Sequence, residues 1–149
     1  MKNVFNGFSA SSVLVGLVCF APALSLAAAS IPGVRDAANM FSSDACKQAD
    51  EKLAAVYKSR GWEIVFETVD SLADKSADQL ALDKARSLQV RGVFVLMAKK
   101  EHKISVQVNK PAAGVFDRNV QSTLKEKITT AFKAKKFDDG LFDAVNYLA

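Results

Sequence analysis

The chain has 149 residues, half of them hydrophobic and 24% charged, with a formal charge of +4. One compact domain fits that length, and ten Phe with seven Gly and three Pro exclude a disordered, collagen-like or Pro-rich chain. Two Cys exclude a disulfide scaffold.

The first segment reads as an address and not as part of the fold. Lys2 is the only charge before Arg35. An apolar run from Val13 to Ala29, broken by Gly16 and Pro22, ends in Ala27-Ala28-Ala29 ahead of Ser30. A positive start, a short apolar stretch and an A-x-A exit are the marks of a secretory signal peptide, here residues 1–29. The alternative is a retained anchor, but an Ala-rich run of 17 residues is at the short limit for a hydrocarbon core of ~30 Å. Cys19 lies inside the run behind Val18, where lipidation needs a small residue. Removing 29 residues, Lys2 among them, leaves 120 residues with a charge of +3. A chain of that size can bury one independent core. Cys46 is then the only cysteine, and its neighbours Ala45 and Ala49 place it on a helix as a buried, inert thiol.

Residues 30–42 read as a leader with a turn at Ile31-Pro32-Gly33. Ser43 is placed to cap a helix, with Asp44 in its first turn. Cys46, Ala49, Leu53, Val56 and Tyr57 recur at helical spacing up to Arg60, and Gly61 is a suitable stop. Trp62 to Val69 is a β-rich apolar run. Ser76 and Gln79 form a capping box for a helix through Leu88, with Leu80, Lys84 and Leu88 on one side. Gly92 opens a second strand, Val93 to Ala98, apolar on both faces. Ile104, Val106 and Val108 alternate with Ser105, Gln107 and Asn109, which predicts a third strand with one wet face. The short link Lys99 to Lys103 makes the last two strands an antiparallel hairpin. Asp117 can cap a helix whose stripe is Val120, Leu124, Ile128, Ala131 and Phe132, running to about Lys136. Asp138-Asp139-Gly140 is expected to break it, and Leu141, Ala144, Val145 and Leu148 fit a short final helix. The order α-β-α-β-β-α-α, with one right-handed crossover, predicts an α/β fold: a small mixed sheet flanked by helices, an α/β/α sandwich over residues 43–149.

These residues carry a resemblance. Val34-Arg35-Asp36-Ala37-Ala38-Asn39-Met40-Phe41-Ser42 resembles the V-x-D-x-A-x-x-[LF]-S opening of the TPM domain family, extracytoplasmic α/β domains of secreted and membrane-anchored bacterial proteins and of the thylakoid lumen. GWEIVFETVDSL, from Gly61 to Leu72, is similar to its first strand and following loop. GVFVLM, Gly92 to Met97, is similar to its N-G-V-L-L-L strand, and Phe137 to Val145 to its closing aromatic-D-x-G-L-x-x-x-V pattern. The departures are specific. Val90-Arg91-Gly92 stands in place of Asp-Asn-Gly, Asn109-Lys110-Pro111-Ala112-Ala113 in place of a Gly-x-Gly-x-Glu stretch, and Glu101-His102-Lys103 where an Arg is usual. Phosphatase activity and divalent-metal binding are associated with some members, and the residues that would carry either are largely missing here.

The chemistry read directly from the residues agrees. There is no Gly-rich phosphate loop, HExxH or CxxC motif. His102 is the sole histidine and falls in a turn, so a Ser-His-Asp triad lacks its frame. One His and one distant Cys cannot build a zinc site. Ca²⁺ or Mg²⁺ needs only oxygen ligands, which leaves Asp36, Asp70 and Asp117 as weak metal candidates. Asp70, Asp74 and Asp78, and likewise Asp138, Asp139 and Asp143, read more simply as polar loops and helix starts. No cofactor is predicted. Lys125, Lys127, Lys133, Lys135 and Lys136 crowd the third helix as a solvated face, and an exported domain of this charge is not a nucleic-acid binder.

Antiparallel pairing should bring residues 90–92 beside 109–111 at one edge of the sheet. That edge offers Arg91, Asn109 and Lys110, with Arg35 and Asp36 of the leader expected nearby, as a candidate mouth for an anionic ligand. The chain therefore reads as a secreted or periplasmic TPM-like domain, a non-catalytic binding or accessory module for an envelope partner or an anionic ligand. The alternatives are a metal-dependent hydrolase of phosphate esters and a structural subunit of an envelope complex. Export predicts that N-terminal sequencing of the protein from the periplasmic or external fraction starts at Ser30. Intact Met1 in the membrane pellet would show a retained anchor.

Overall fold

A computed structural model describes residues 32–149. The signal-peptide reading of residues 1–29 lies outside the described residues. A strand β1 (Gly33–Asp36) leads to helix α1 (Ser43–Arg60), strand β2 (Glu63–Val69), helix α2 (Ala77–Ser87), strands β3 (Gly92–Ala98) and β4 (Lys103–Val108), and helices α3 (Arg118–Lys133) and α4 (Phe137–Leu148). The sheet order is β1-β2-β3-β4. The first three strands are parallel, and β3 and β4 form the antiparallel hairpin.

The fold is the mixed α/β sandwich that the hydrophobic pattern predicts. β2 and β3 are buried along nearly their whole length. On one face Ile64, Phe66, Val93, Val95 and Met97 meet the apolar stripes of α1, α3 and α4. On the other, Val65, Phe94, Leu96 and Ala98 meet Ala81, Leu80 and Leu88 of α2. β1, β2 and β3 step across the sheet in one direction while α1 and α2 lie on opposite faces. The two crossovers therefore have opposite hands, and one departs from the right-handed rule.

Four local expectations change. The leader holds a fourth strand: Val34 to Asp36 pair with Phe66 to Thr68, because Asp50 Oδ1 accepts the Val34 N–H at 2.7 Å and draws the segment onto α1. Ser42, not Ser43, caps α1, accepting from the Ala45 N–H. The face of β4 predicted to be wet is covered by α2, and Ser105 is fully buried, donating to Asp78 Oδ1 at 2.5 Å. Asp138-Asp139-Gly140 lies inside the first turn of α4. Acids suit a helix N-terminus, and Gly140 is buried where an added Cβ would stand 2.8 Å from that of Ala131 on α3.

Gly92 fixes the start of β3. Its φ is +157°, and an added Cβ would fall 2.2 Å from the Glu63 carbonyl oxygen, a backbone atom of the neighbouring strand. At Gly61, the left-handed cap of α1 with φ +74°, the same space is open. Gly92→Ala is expected to cost about 2–4 kcal/mol and Gly61→Ala about 1 kcal/mol, read as shifts of the urea unfolding midpoint.

Candidate functional site

The hairpin register joins the two segments singled out in the sequence. Val93 faces Val108, and the Asn109 N–H donates to the Gly92 carbonyl at 3.1 Å. Arg91 is held through its backbone alone: its N–H donates to Glu63 Oε2 at 2.8 Å, and its carbonyl accepts from the Glu63 N–H at 3.0 Å. Its side chain is left exposed. Asn109 Oδ1 accepts from the Ala112 N–H, capping the short 3-10 turn Lys110–Ala112. The last turn of α2 adds Arg86. Together these residues border a cleft of about 380 Å³ with an apolar floor that includes Phe94 and Val108. Its rim holds three cations, Arg86, Arg91 and Lys110, and three amides, Gln89, Gln107 and Asn109. Among the described residues no carboxylate lines it. The ion pairs among the described residues are Lys75–Asp83, Lys84–Glu67 and Lys136–Asp139, so the three rim cations are unpaired there.

Arg35 and Asp36 are not part of this cleft. They pair with Glu67 and Thr68, at the opposite end of the parallel strands from Gly92, which pairs with Glu63. The parallel pairing of the leader puts them there. Asp36 serves the fold: its carboxylate accepts from the Thr68 hydroxyl at 2.6 Å, the Met40 N–H at 2.9 Å and the Phe41 N–H at 2.8 Å. Thr68 Oγ1 in turn accepts from the Ala38 N–H at 3.0 Å.

The remaining acids are dispersed. Asp117 caps α3 through the Val120 N–H at 2.9 Å, and Asp138 accepts from the Ser42 N–H at 2.9 Å. Asp70 is exposed in the loop after β2, where its carbonyl accepts from the Lys100 N–H. Among the described residues no three His, Cys, Asp or Glu converge as a metal-binding group. Cys46 is half-buried, and its thiol is pushed up from the ordinary 9.0, first by burial and then by Asp36, Asp50 and Asp138. It is a poor nucleophile for that reason.

Two groups escaped the sequence reading. Arg86 and Gln107 join the cleft only because α2 packs across β4, a contact that no local pattern announces. Glu101, in the hairpin turn, ties that turn to the loop after β2: Oε1 accepts from the Ser71 hydroxyl at 2.6 Å and the Leu72 N–H at 3.1 Å. Oε2 is covered and has no hydrogen-bond partner.

The comparisons with known proteins follow the same outline. The family model of the TPM domain matches residues 34–149. The chain belongs to the TPM domain family. No functionally curated protein matches it. Among solved structures, it is similar to the N-terminal domain of a protein from P. gingivalis, with 17% identity, a TM-score of 0.71 and coverage of 81% of this chain and 84% of that one. It is also similar to an N-terminal domain from Corynebacterium glutamicum, with 11% identity, a TM-score of 0.66 and coverage of 93% and 85%. A third is BA42 from the psychrophilic bacterium Bizionia argentinensis, with 18% identity, a TM-score of 0.62 and coverage of 72% and 77%. At these identities the likeness concerns the fold.

In this TPM domain the Ser71 bond holds the Glu101 carboxyl below its ordinary 4.5, outweighing the opposing effect of burial, with the Leu72 N–H adding to it. The folded state therefore favours the carboxylate. That stabilisation is present above the ordinary value and is lost as pH falls through the lowered one. Ser71→Ala removes the largest cause. The variant should be less stable than the native chain at neutral pH, and the two should converge as acidification carries the carboxyl down through its lowered value, as read by urea unfolding at neutral and at progressively acid pH.

Proposed function

We propose that this TPM domain is an exported, non-catalytic binding module of the cell envelope, and that the cleft at the start of β3 and the end of β4 receives an anionic group, a carboxylate or phosphate of its ligand or partner. One observation carries the reading: three cations and three amides surround an apolar floor, and among the described residues the cations have no ion-pair partner and no carboxylate lines the cleft. Arg offers a planar donor fork and Lys a compact charge, the pairing that suits such oxyanions. Export is supported by the leader pattern of residues 1–29, and no helix among the described residues is long and apolar enough to cross a membrane.

The hydrolase reading lacks its reagents at this cleft. Phosphate-ester hydrolysis needs a nucleophile or a general base in reach of the ester, and among the described residues the lining contains no Asp, Glu, His, Cys, Ser, Thr or Tyr. Binding is the chemistry that this donor set supports.

Calorimetric titration with inorganic phosphate and with citrate tests the proposal. Binding should weaken with added salt, as expected for exposed charges. Arg91→Ala combined with Lys110→Ala should lower the affinity at least about tenfold with the thermal unfolding curve unchanged. A folded double variant that binds as tightly as the native chain overturns the proposal.

A further inference from the structure

A second concavity lies at the other end of the hairpin. Its volume is about 530 Å³, inside the range of roughly 300–1,000 Å³ that small-molecule sites occupy. Met40, Ile104, Phe132 and Phe137 give it an apolar interior. The aromatic wall is braced: the Phe132 and Phe137 rings meet edge to face at 5.0 Å, and Phe41 backs Phe132 at 6.2 Å. Lys135, with φ +58°, turns the chain between α3 and α4 so that Phe137 folds back onto Phe132.

The rim is of one charge. Lys99 and Lys103 come from the hairpin, Lys133 and Lys135 from the end of α3, and His102 from the turn between β3 and β4. Among the described residues no Asp or Glu lines the cavity. Lys99 donates one proton to the Ala38 carbonyl at 2.8 Å, which leaves its other donors for a ligand. None of the four lysines is in an ion pair with a described residue. Exposed ammonium groups bordering an apolar interior match a ligand that joins an anionic head to an apolar body.

We propose that this cavity binds a small amphipathic anion: an apolar body held among Met40, Ile104, Phe132 and Phe137, ending in a carboxylate or phosphate that lies among the lysines. The site is separate from the cleft of Arg91 and Lys110, since Lys103 and Val108 mark opposite ends of β4. The anionic cleft ligand needs no apolar body, whereas this ligand requires both parts.

The test uses the purified protein and alkyl carboxylates from octanoate to dodecanoate, with dodecyl phosphate and dodecanol, all below their micelle-forming concentrations. Affinity should rise about threefold to fourfold per added methylene until the cavity is filled. Dodecanol should bind at least about tenfold more weakly than the anions. Binding by only one of the two head groups identifies the head. Lys103→Ala with Lys133→Ala, both exposed positions, should weaken dodecanoate about tenfold at low salt without moving the melting temperature. Thr129→Trp, which places a ring in the cavity, should abolish binding while circular dichroism shows a native fold. Arg91→Ala with Lys110→Ala should leave dodecanoate binding unchanged, and this keeps failure of the cleft reading distinct from failure here. No binding by any alkyl anion, equal binding of dodecanol, or undiminished binding by either folded cavity variant overturns the proposal.

Discussion

The structure depends on the parallel pairing of two strands that are buried on both faces. β2 and β3 expose almost nothing, so the sheet must be covered on each side. Among the described helices, α2 covers one face, joined by Leu72 and Val90 of the flanking loops, and α1, α3 and α4 cover the other. The pair stands in close register because Gly92 lets the β3 backbone approach Glu63. That contact also fixes where Arg91 leaves the sheet. A demand of packing thus sets the position of the residue on which the cleft centres.

Charge is partitioned along the same lines. Many carboxylates are committed within the fold. Asp36 ties the chain after β1 to Thr68. Asp50 holds the Val34 N–H, Glu67 pairs with Lys84 under α2, and Asp117 caps α3. Burying a carboxylate is tolerable only with such partners. The cations, longer and easier to solvate, remain on the surface. Among the described residues, Lys and Arg border the hairpin-end cleft and Lys the aromatic-walled cavity, with no acid lining either. A net charge of only +4 would not announce two positive concavities.

Family membership does not by itself assign chemistry. The solved relatives share the fold at 11–18% identity, a level at which the backbone persists while side chains at its edges change. Function lies in those edge residues. Here the segments that meet at the hairpin end hold Arg91, Asn109 and Lys110.

The sequence by itself determined the α/β class, the helix caps at Ser76 and Asp117, the hairpin, and the meeting of residues 90–92 with 109–111. Each follows from periodicity, capping chemistry or antiparallel geometry within a short stretch of chain. Only the tertiary structure decided the rest. The strand segment of the leader, Gly33–Asp36, has Val34 as its one branched apolar residue, and it becomes a strand because β2 offers it an edge and Asp50 offers it an acceptor. Ser105 and Gln107 read as solvent-facing, yet α2 crosses over β4, burying Ser105 and bringing Arg86 to the cleft. Lys133 and Lys135 look like a solvated helix end, and they become the rim of a cavity because Phe137 folds back onto Phe132. In each case the deciding contact joins residues far apart in the chain or across a turn, and local propensity carries no information about which distant surface a segment will meet.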